Sequence, residues 1–181
     1  LLTGCLTIVD SEISNLSIEL ENSFCEDGLN LIRSKGTIDN LAIKNSLHDA
    51  LDVDFSNLHI KNVDIIEAGN DCIDLSGGEN HFSDLSITDC GDKAISLGEK
   101  SKSTFEMVTI NDSQVGLEIK DSSLSTLNNI SIKNTLICIN AFNKKQEFWG
   151  GFVKLSDMDC DSNQVNQQLG SKIIEIYELY N

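Results

Sequence analysis

Apolar side chains recur along this chain at a fixed interval. Asp27-Gly28-Leu29-Asn30-Leu31, Asp49-Ala50-Leu51-Asp52-Val53, Asp71-Cys72-Ile73-Asp74-Leu75, Lys93-Ala94-Ile95-Ser96-Leu97, Val115-Gly116-Leu117-Glu118-Ile119 and Ile137-Cys138-Ile139-Asn140-Ala141 share one pattern, and their third residues lie 22 apart. Each alternates apolar with polar or small, the period of a strand with one buried face. A second alternating strand follows in each repeat, at Leu41 and Ile43, Val63 and Ile65, Leu85 and Ile87, Val108 and Ile110, and Ile130 and Ile132. A further apolar position, Ile38, Ile60, Phe82, Phe105 or Leu127, precedes it. One slip, an extra residue after Gly98, is undone by a shorter turn before Val115.

A lone 22-residue coil cannot hide its apolar positions. Coils stacked at the strand spacing of about 4.8 Å form a continuous core and pair their backbones. The pattern therefore predicts an all-β, single-stranded parallel β-helix of about seven coils, counted from Leu6-Thr7-Ile8 to Ile139. The crossover rule makes it right-handed. A leucine-rich repeat can share the period, but its L-x-x-L-x-L-x-x-N pattern is missing. The β-helix is assigned to residues 1–163. In 164–181 the repeat is lost, and Ile173, Ile174, Ile176 and Leu179 are expected in a terminal strand or short helix capping the last coil. No comparable cap precedes Leu6, so further domains are expected upstream.

Small residues before the first strand, Gly28, Ala50, Cys72, Ala94, Gly116 and Cys138, fit a tight corner. Asn40, Asn62, Asp84 and Asn129 before the second strand, and Asn45, Glu67, Asp89, Asp112 and Asn134 after it, form polar stacks able to hydrogen-bond along the axis. If Leu51 and Val53 point inward, Asp52 and Asp54 point outward. The outer row then reads Asn30, Asp52, Asp74, Ser96, Glu118, Asn140, flanked by Asp27, Asp49, Asp71 and Lys93 on one side and by Ile32, Asp54, Ser76, Gly98, Lys120 and Phe142 on the other.

Five carboxylates, Asp49, Asp52, Asp54, Asp71 and Asp74, thus fall on two adjacent coils. Like charges about 5 Å apart repel unless a proton, a lysine or a cation neutralises them. These five are the candidate metal ligands, and calcium, which takes oxygen donors, is the cofactor they admit. The competing reading is a solvated acidic face screened by salt. Two carboxylates whose environments separate their pKa values can share acid and base roles, as glycoside hydrolysis requires. Asp49 and Asp71 are the candidate pair, with Lys93 holding a carboxylate ionised. His59 and His81 read as ordinary turn residues.

Composition narrows the classes. Thirteen basic and 29 acidic side chains give a formal charge of −16, and no Lys/Arg stripe interrupts it, which argues against nucleic acid as a partner. No run of about 18 apolar residues exists, so no membrane span is expected. The six cysteines form no C-x-x-C pair, and free thiols packed as small hydrophobes are expected, with one or two disulfides or a metal as alternatives. The chain begins with Leu1, so any targeting signal has been removed or lies upstream. Phe142, Phe148, Trp149 and Phe152 cluster after the last coil and read as core or cap packing, with sugar stacking as the alternative.

Gly69-Asn70-Asp71-Cys72-Ile73-Asp74-Leu75-Ser76-Gly77, Gly91 to Ser101, Ile119-Lys120-Asp121-Ser122-Ser123 and Lys144-Lys145 before Gly150-Gly151 resemble right-handed β-helix repeat regions that follow CotH kinase-like domains in bacterial proteins. That resemblance implies a fold rather than a reaction. More distantly, His48-Asp49-Ala50-Leu51-Asp52, Gly69 to Gly78, Asp92 to Glu99 and Glu118-Ile119-Lys120 are similar to the motifs of polygalacturonases, inverting hydrolases of the pectin-lyase-like type. Asp49, Asp71 and Lys120 match functional positions. Asn70, Lys93 and Glu118 replace the carboxylate, histidine and arginine of those enzymes.

The expected role is a β-helix repeat module of a larger bacterial surface or secreted protein, structural or contacting polysaccharide through its acidic face. The alternative is a carbohydrate-active hydrolase, lyase or epimerase. Candidate catalytic residues are Asp49, Asp71, Lys93 and Lys120, and candidate substrate-binding residues Asp52, Asp74, Glu118 and Trp149. The expected location is extracellular or at the cell surface.

Overall fold

The structure, a computed structural model, describes residues 2–162 and 164–176. Those residues form thirteen strands and no helix. A short strand opens each early coil: β1 (Gly4–Val9), β3 (Asp27–Ile32), β5 (Asp49–Asp54) and β7 (Ile73–Ser76). Longer strands alternate with them: β2 (Glu12–Ser23), β4 (Lys35–Ser46) and β6 (Asn57–Ala68). Further along, β8 (Glu79–Gly98), β9 (Lys102–Lys120) and β10 (Leu124–Phe142) each run through the bend and carry both positions. The set ends with β11 (Phe152–Cys160), β12 (Val165–Gln167) and β13 (Lys172–Glu175). Every pairing between these strands is parallel.

The register is the one the period demands. Leu6, Leu29, Leu51, Ile73, Ile95, Leu117 and Ile139 stand over one another, and Val165 adds an eighth rung to the seven anticipated. Leu29 to Ile139 in this row are buried, as are Ile38, Ile60, Phe82, Phe105 and Leu127 from the other side. Phe82 and Phe105 stack with centroids 5.0 Å apart. The extra residue lies where expected: Ser76 pairs with Gly98 but Glu79 with Lys102, and the offset disappears between Cys90 and Lys93. After Ile139 the chain leaves the 22-residue period, and β12 and β13 continue the ladders by pairing β10 and β11. Ile173 and Ile174 therefore extend the sheet as a strand, while Leu179 lies outside the described residues.

Corners follow from backbone sterics. Asn22, Asn45, Glu67, Asp89, Asp112 and Asn134 stand at one corner with φ between 53° and 67°. This left-handed region is tolerated best by asparagine and aspartate after glycine. The axial polar ladder is present, with Asn62 Nδ2 donating to Asn40 Oδ1 at 3.1 Å and Asn45 Nδ2 to Asn22 Oδ1 at 2.7 Å. At the other corner Gly78 adopts φ 76°, and a Cβ there would lie 2.0 Å from the Ser56 carbonyl oxygen.

Three expectations are corrected. The six cysteines are not free thiols: they form disulfides Cys5–Cys25, Cys72–Cys90 and Cys138–Cys160. Their separations of 20, 18 and 22 residues each approximate one coil, so every bridge ties the small-residue corner to the far end of a single turn of solenoid. His59 and His81 are strand residues of β6 and β8, paired in register with ring centroids 4.6 Å apart and planes tilted by 59°, and with ring nitrogens on Ser83 and Glu106. The late aromatic cluster is not core: Trp149 is 79% exposed, and Phe142, Phe148 and Phe152 are only half-buried.

Candidate functional site

The outer row stands as the parity requires, with Asn30, Asp52, Asp74, Ser96, Glu118 and Asn140 one above another. Half of the row is withdrawn from solvent, and Asp52, Asp74 and Asn140 are half-buried. Asn30, Ser96 and Glu118 are buried, as are Asp27, Asp71 and Lys120 beside them. Burial is compensated by bonds along the row. Asn30 Nδ2 donates to Asp52 Oδ2 at 2.9 Å and to Asp54 Oδ2 at 3.4 Å, and Asn140 Nδ2 to Glu118 Oε2 at 3.2 Å. Lys120 Nζ donates to Ser96 Oγ at 2.7 Å and to Glu118 Oε1 at 3.0 Å.

The flanking row repeats one contact. Asp49 Oδ1 accepts the backbone N–H of Asp71 at 2.9 Å and the Asn70 amide at 2.6 Å. One rung on, Asp71 Oδ1 accepts the backbone N–H of Lys93 at 3.1 Å and its ammonium at 3.3 Å. Each carboxylate thus caps the coil after it, while its second oxygen stays free of that bond.

Burial sets the protonation of these acids. It pushes Asp71 up to about 6, against the pull of Lys93, so the lysine does not hold this carboxylate in its ordinary range. Asp52 is pushed up to about 8 by burial and then by Asp54, Asp27, Asp74 and Asp49. Burial raises Asp74 too, opposed by Lys120 and Ser96, and raises Asp27 and Asp54. Burial works against the charge on Lys93, but Asp92, Asp71 and Glu118 hold its ammonium above the usual lysine value. Repulsion on the row is therefore relieved by protons, amides and lysines. Among the described residues no three of His, Cys, Asp and Glu gather as a metal-holding group. The five carboxylates of the calcium expectation lie on two adjacent rungs, where Asp52 and Asp54 accept from Asn30, Asp49 from Asn70 and the Asp71 N–H, and Asp71 from Lys93.

The second free side of the row opens into a cleft of about 260 Å³, where Asp49, Asp71, Asp74, Lys93 and Lys120 meet. Asp52, Asp54, Glu118 and Trp149 are not part of its wall. Sequence reasoning missed several groups that are: Ser96, Glu99, Asp121, Lys144 and Lys145. The last two arrive on a strap, residues 143–151, that interrupts the period. Buried Asp121 anchors it by accepting the backbone N–H groups of Lys144 and Lys145 at 2.9 and 2.8 Å, and Lys145 pairs with Glu99. Asn143 Nδ2 closes it on the Phe148 carbonyl at 2.6 Å. The 26-residue step from Ile139 to Val165, against 22 for each step from Leu29 to Ile139, is the signal that could have found it. A larger groove, about 660 Å³, runs past His59, His81, Lys102 and Lys154, but it gathers no comparable set of buried carboxylates and ammonium groups.

The continuous in-register ladder over eight rungs and the sequence agree on one family. Residues 3–166 match the family described as a right-handed β-helix region. The chain belongs to it. As a right-handed β-helix region it has an all-β parallel solenoid with the polar cleft on one strand face. No curated protein and no solved structure gives a significant match to the chain. No helix among the described residues is long and apolar enough to cross a membrane.

Proposed function

We propose that this β-helix is a polysaccharide-contacting module of a surface or secreted protein, and that the Asp71–Lys93 cleft is its contact site. The observation that carries the reading is the convergence of Asp49, Asp71, Asp74, Lys93 and Lys120 in one concave, partly dry site on a rigid ladder. Convergent polar groups with perturbed ionisation mark binding sites more often than bland surface. Strand ladders hold such groups at a repeat of about 4.8 Å, which suits an extended polymer. Three disulfides support the location, since such bonds persist in oxidising compartments. Affinity electrophoresis in gels containing uronate-rich or neutral polysaccharide tests it. The wild type is retarded and Asp71→Ala with Lys93→Ala is not; equal mobility of both proteins in every gel defeats the proposal.

A second reading, a carbohydrate-active enzyme, rests on Asp71. A carboxyl raised to about 6 beside Asp49 is placed to hold a proton near neutral pH, as a general acid must. Asp49 would then be the base, with Lys93 and Lys120 neutralising charge. Release of reducing ends or unsaturated products by wild type, abolished in a folded Asp71→Asn, would support this reading over contact alone.

A further inference from the structure

Lys120, which lines the cleft, also meets Glu118 outside its wall, and Glu118 in turn meets Asn140. Glu118 uses one carboxylate oxygen for the Lys120 ammonium, at 3.0 Å, and the other for the Asn140 carboxamide, at 3.2 Å. An amine and an amide therefore share a single carboxylate. Lys120 and Glu118 are 8% and 7% exposed, so little water competes at this point. Asn140 sits on the rung directly above Glu118, and Lys120 lies two residues further along β9. One strand spacing of about 4.8 Å and two residue rises of about 3.3 Å separate the Lys120 and Asn140 backbones by roughly 8 Å. A lysine side chain meeting an asparagine side chain spans that gap.

We propose that Lys120 and Asn140 form an intramolecular isopeptide bond, with Glu118 as the proton carrier, covalently joining adjacent coils. Glu118 takes a proton from the Lys120 ammonium. The neutral Nζ turns from Ser96 toward the upper rung and attacks Asn140 Cγ, forming the new C–N bond while Glu118 donates to the developing oxyanion. Glu118 recovers a proton from Nζ and delivers it to Nδ2, the Cγ–Nδ2 bond breaks, and Glu118 passes the hydroxyl proton of the tetrahedral intermediate to the departing nitrogen as the carbonyl re-forms. One amide is formed, one amide is lost, the nitrogen leaves as ammonium, and Glu118 ends as it began. No oxidant, reductant or second substrate is needed. Holding amine and amide on one carboxylate replaces a bimolecular encounter by an internal one. The proposal does not rest on the polysaccharide reading, which survives if no bond forms; a bond would remove the charge of Lys120, which also lines the cleft.

Intact-mass spectrometry of the folded, disulfide-bonded protein tests this directly. The expected mass is that of the sequence less the six cysteine hydrogens and one ammonia, with a branched Lys120–Asn140 peptide after digestion. Glu118→Gln and Asn140→Ala should each retain the full mass and yield no branched peptide. Wild-type protein that keeps its full mass after prolonged incubation at neutral pH overturns the proposal, as does an ammonia loss that persists in Asn140→Ala. Should the Glu118 variant fail to fold, the wild-type mass and the branched peptide still decide the matter.

Discussion

The carboxylate of Asp49 accepts the backbone N–H of Asp71 at 2.9 Å, one coil away. Asp71 repeats that contact on Lys93, so two acids of the cleft also serve as structural caps between coils. Removing one therefore touches stability as well as chemistry. Asp49→Ala should cost about 1–3 kcal/mol, since it leaves a partly buried N–H without its acceptor. Urea denaturation measures this, and an unchanged midpoint would show that water replaces the carboxylate.

Stability should depend on pH in an unusual direction. Asp52 and Asp71 are raised in the fold to about 8 and about 6, whereas an unfolded aspartate titrates near 3.9. Between those values the folded state holds more protons than the unfolded one, so unfolding releases them and the fold is favoured by acid. The contribution is complete below about pH 4 and is lost as pH rises, through about 6 for Asp71 and about 8 for Asp52. The denaturation midpoint should fall from pH 5 to pH 8, and Asp52→Asn should flatten the upper part of that profile. A midpoint that rises over this range would refute the protonation assigned to these acids.

Each disulfide closes about one coil. For loops of this size, entropy loss in the unfolded chain is worth roughly 3 kcal/mol. The paired substitution Cys72→Ser with Cys90→Ser should lower the melting temperature by several degrees and leave a parallel-β circular dichroism spectrum. Thiol labelling of the native wild type should find no reactive cysteine.

Phe105 fills the interior against Phe82, and both are fully buried. Truncation to Ala opens a cavity across two rungs and should cost about 3–5 kcal/mol. A loss below 1 kcal/mol would mean that the neighbouring coils collapse onto the space.

Gly78 turns the corner with φ 76°, and its missing side chain is where the Ser56 carbonyl oxygen stands. Gly78→Ala should destabilise by at least about 1–3 kcal/mol through backbone strain, and by more if the clash forces the coils apart. Thermal melts of the two proteins at matched concentration give the difference.

Leu29, Leu51, Ile73 and Ile95 could be placed in one interior row before any coordinates, because a fixed period and a fixed strand parity leave no other way to bury them. Even the extra residue after Gly98 and its later compensation were legible, since a slip in one coil must be absorbed before the next row can align. The cleft was legible in part. Asp49, Asp71, Asp74, Lys93 and Lys120 meet there, whereas Asp52, Asp54, Glu118 and Trp149 do not line it. The cysteines were misjudged because the partners of each pair lie in different rows of the repeat, and row-by-row comparison never sets them side by side. Their one-coil separations were the overlooked clue.

By itself the sequence determined the lattice: which side chains stack, which face the core and which acids become neighbours, because every turn must repeat its hydrogen-bond register. Only the tertiary structure decided which of the outward positions lost water. That depends on groups outside the period, the 143–151 strap anchored by Asp121 and the turn carrying Glu99, and on lysines long enough to bridge rungs. Desolvation is a property of what lies over a residue, and nothing in a repeating pattern states what will lie over it.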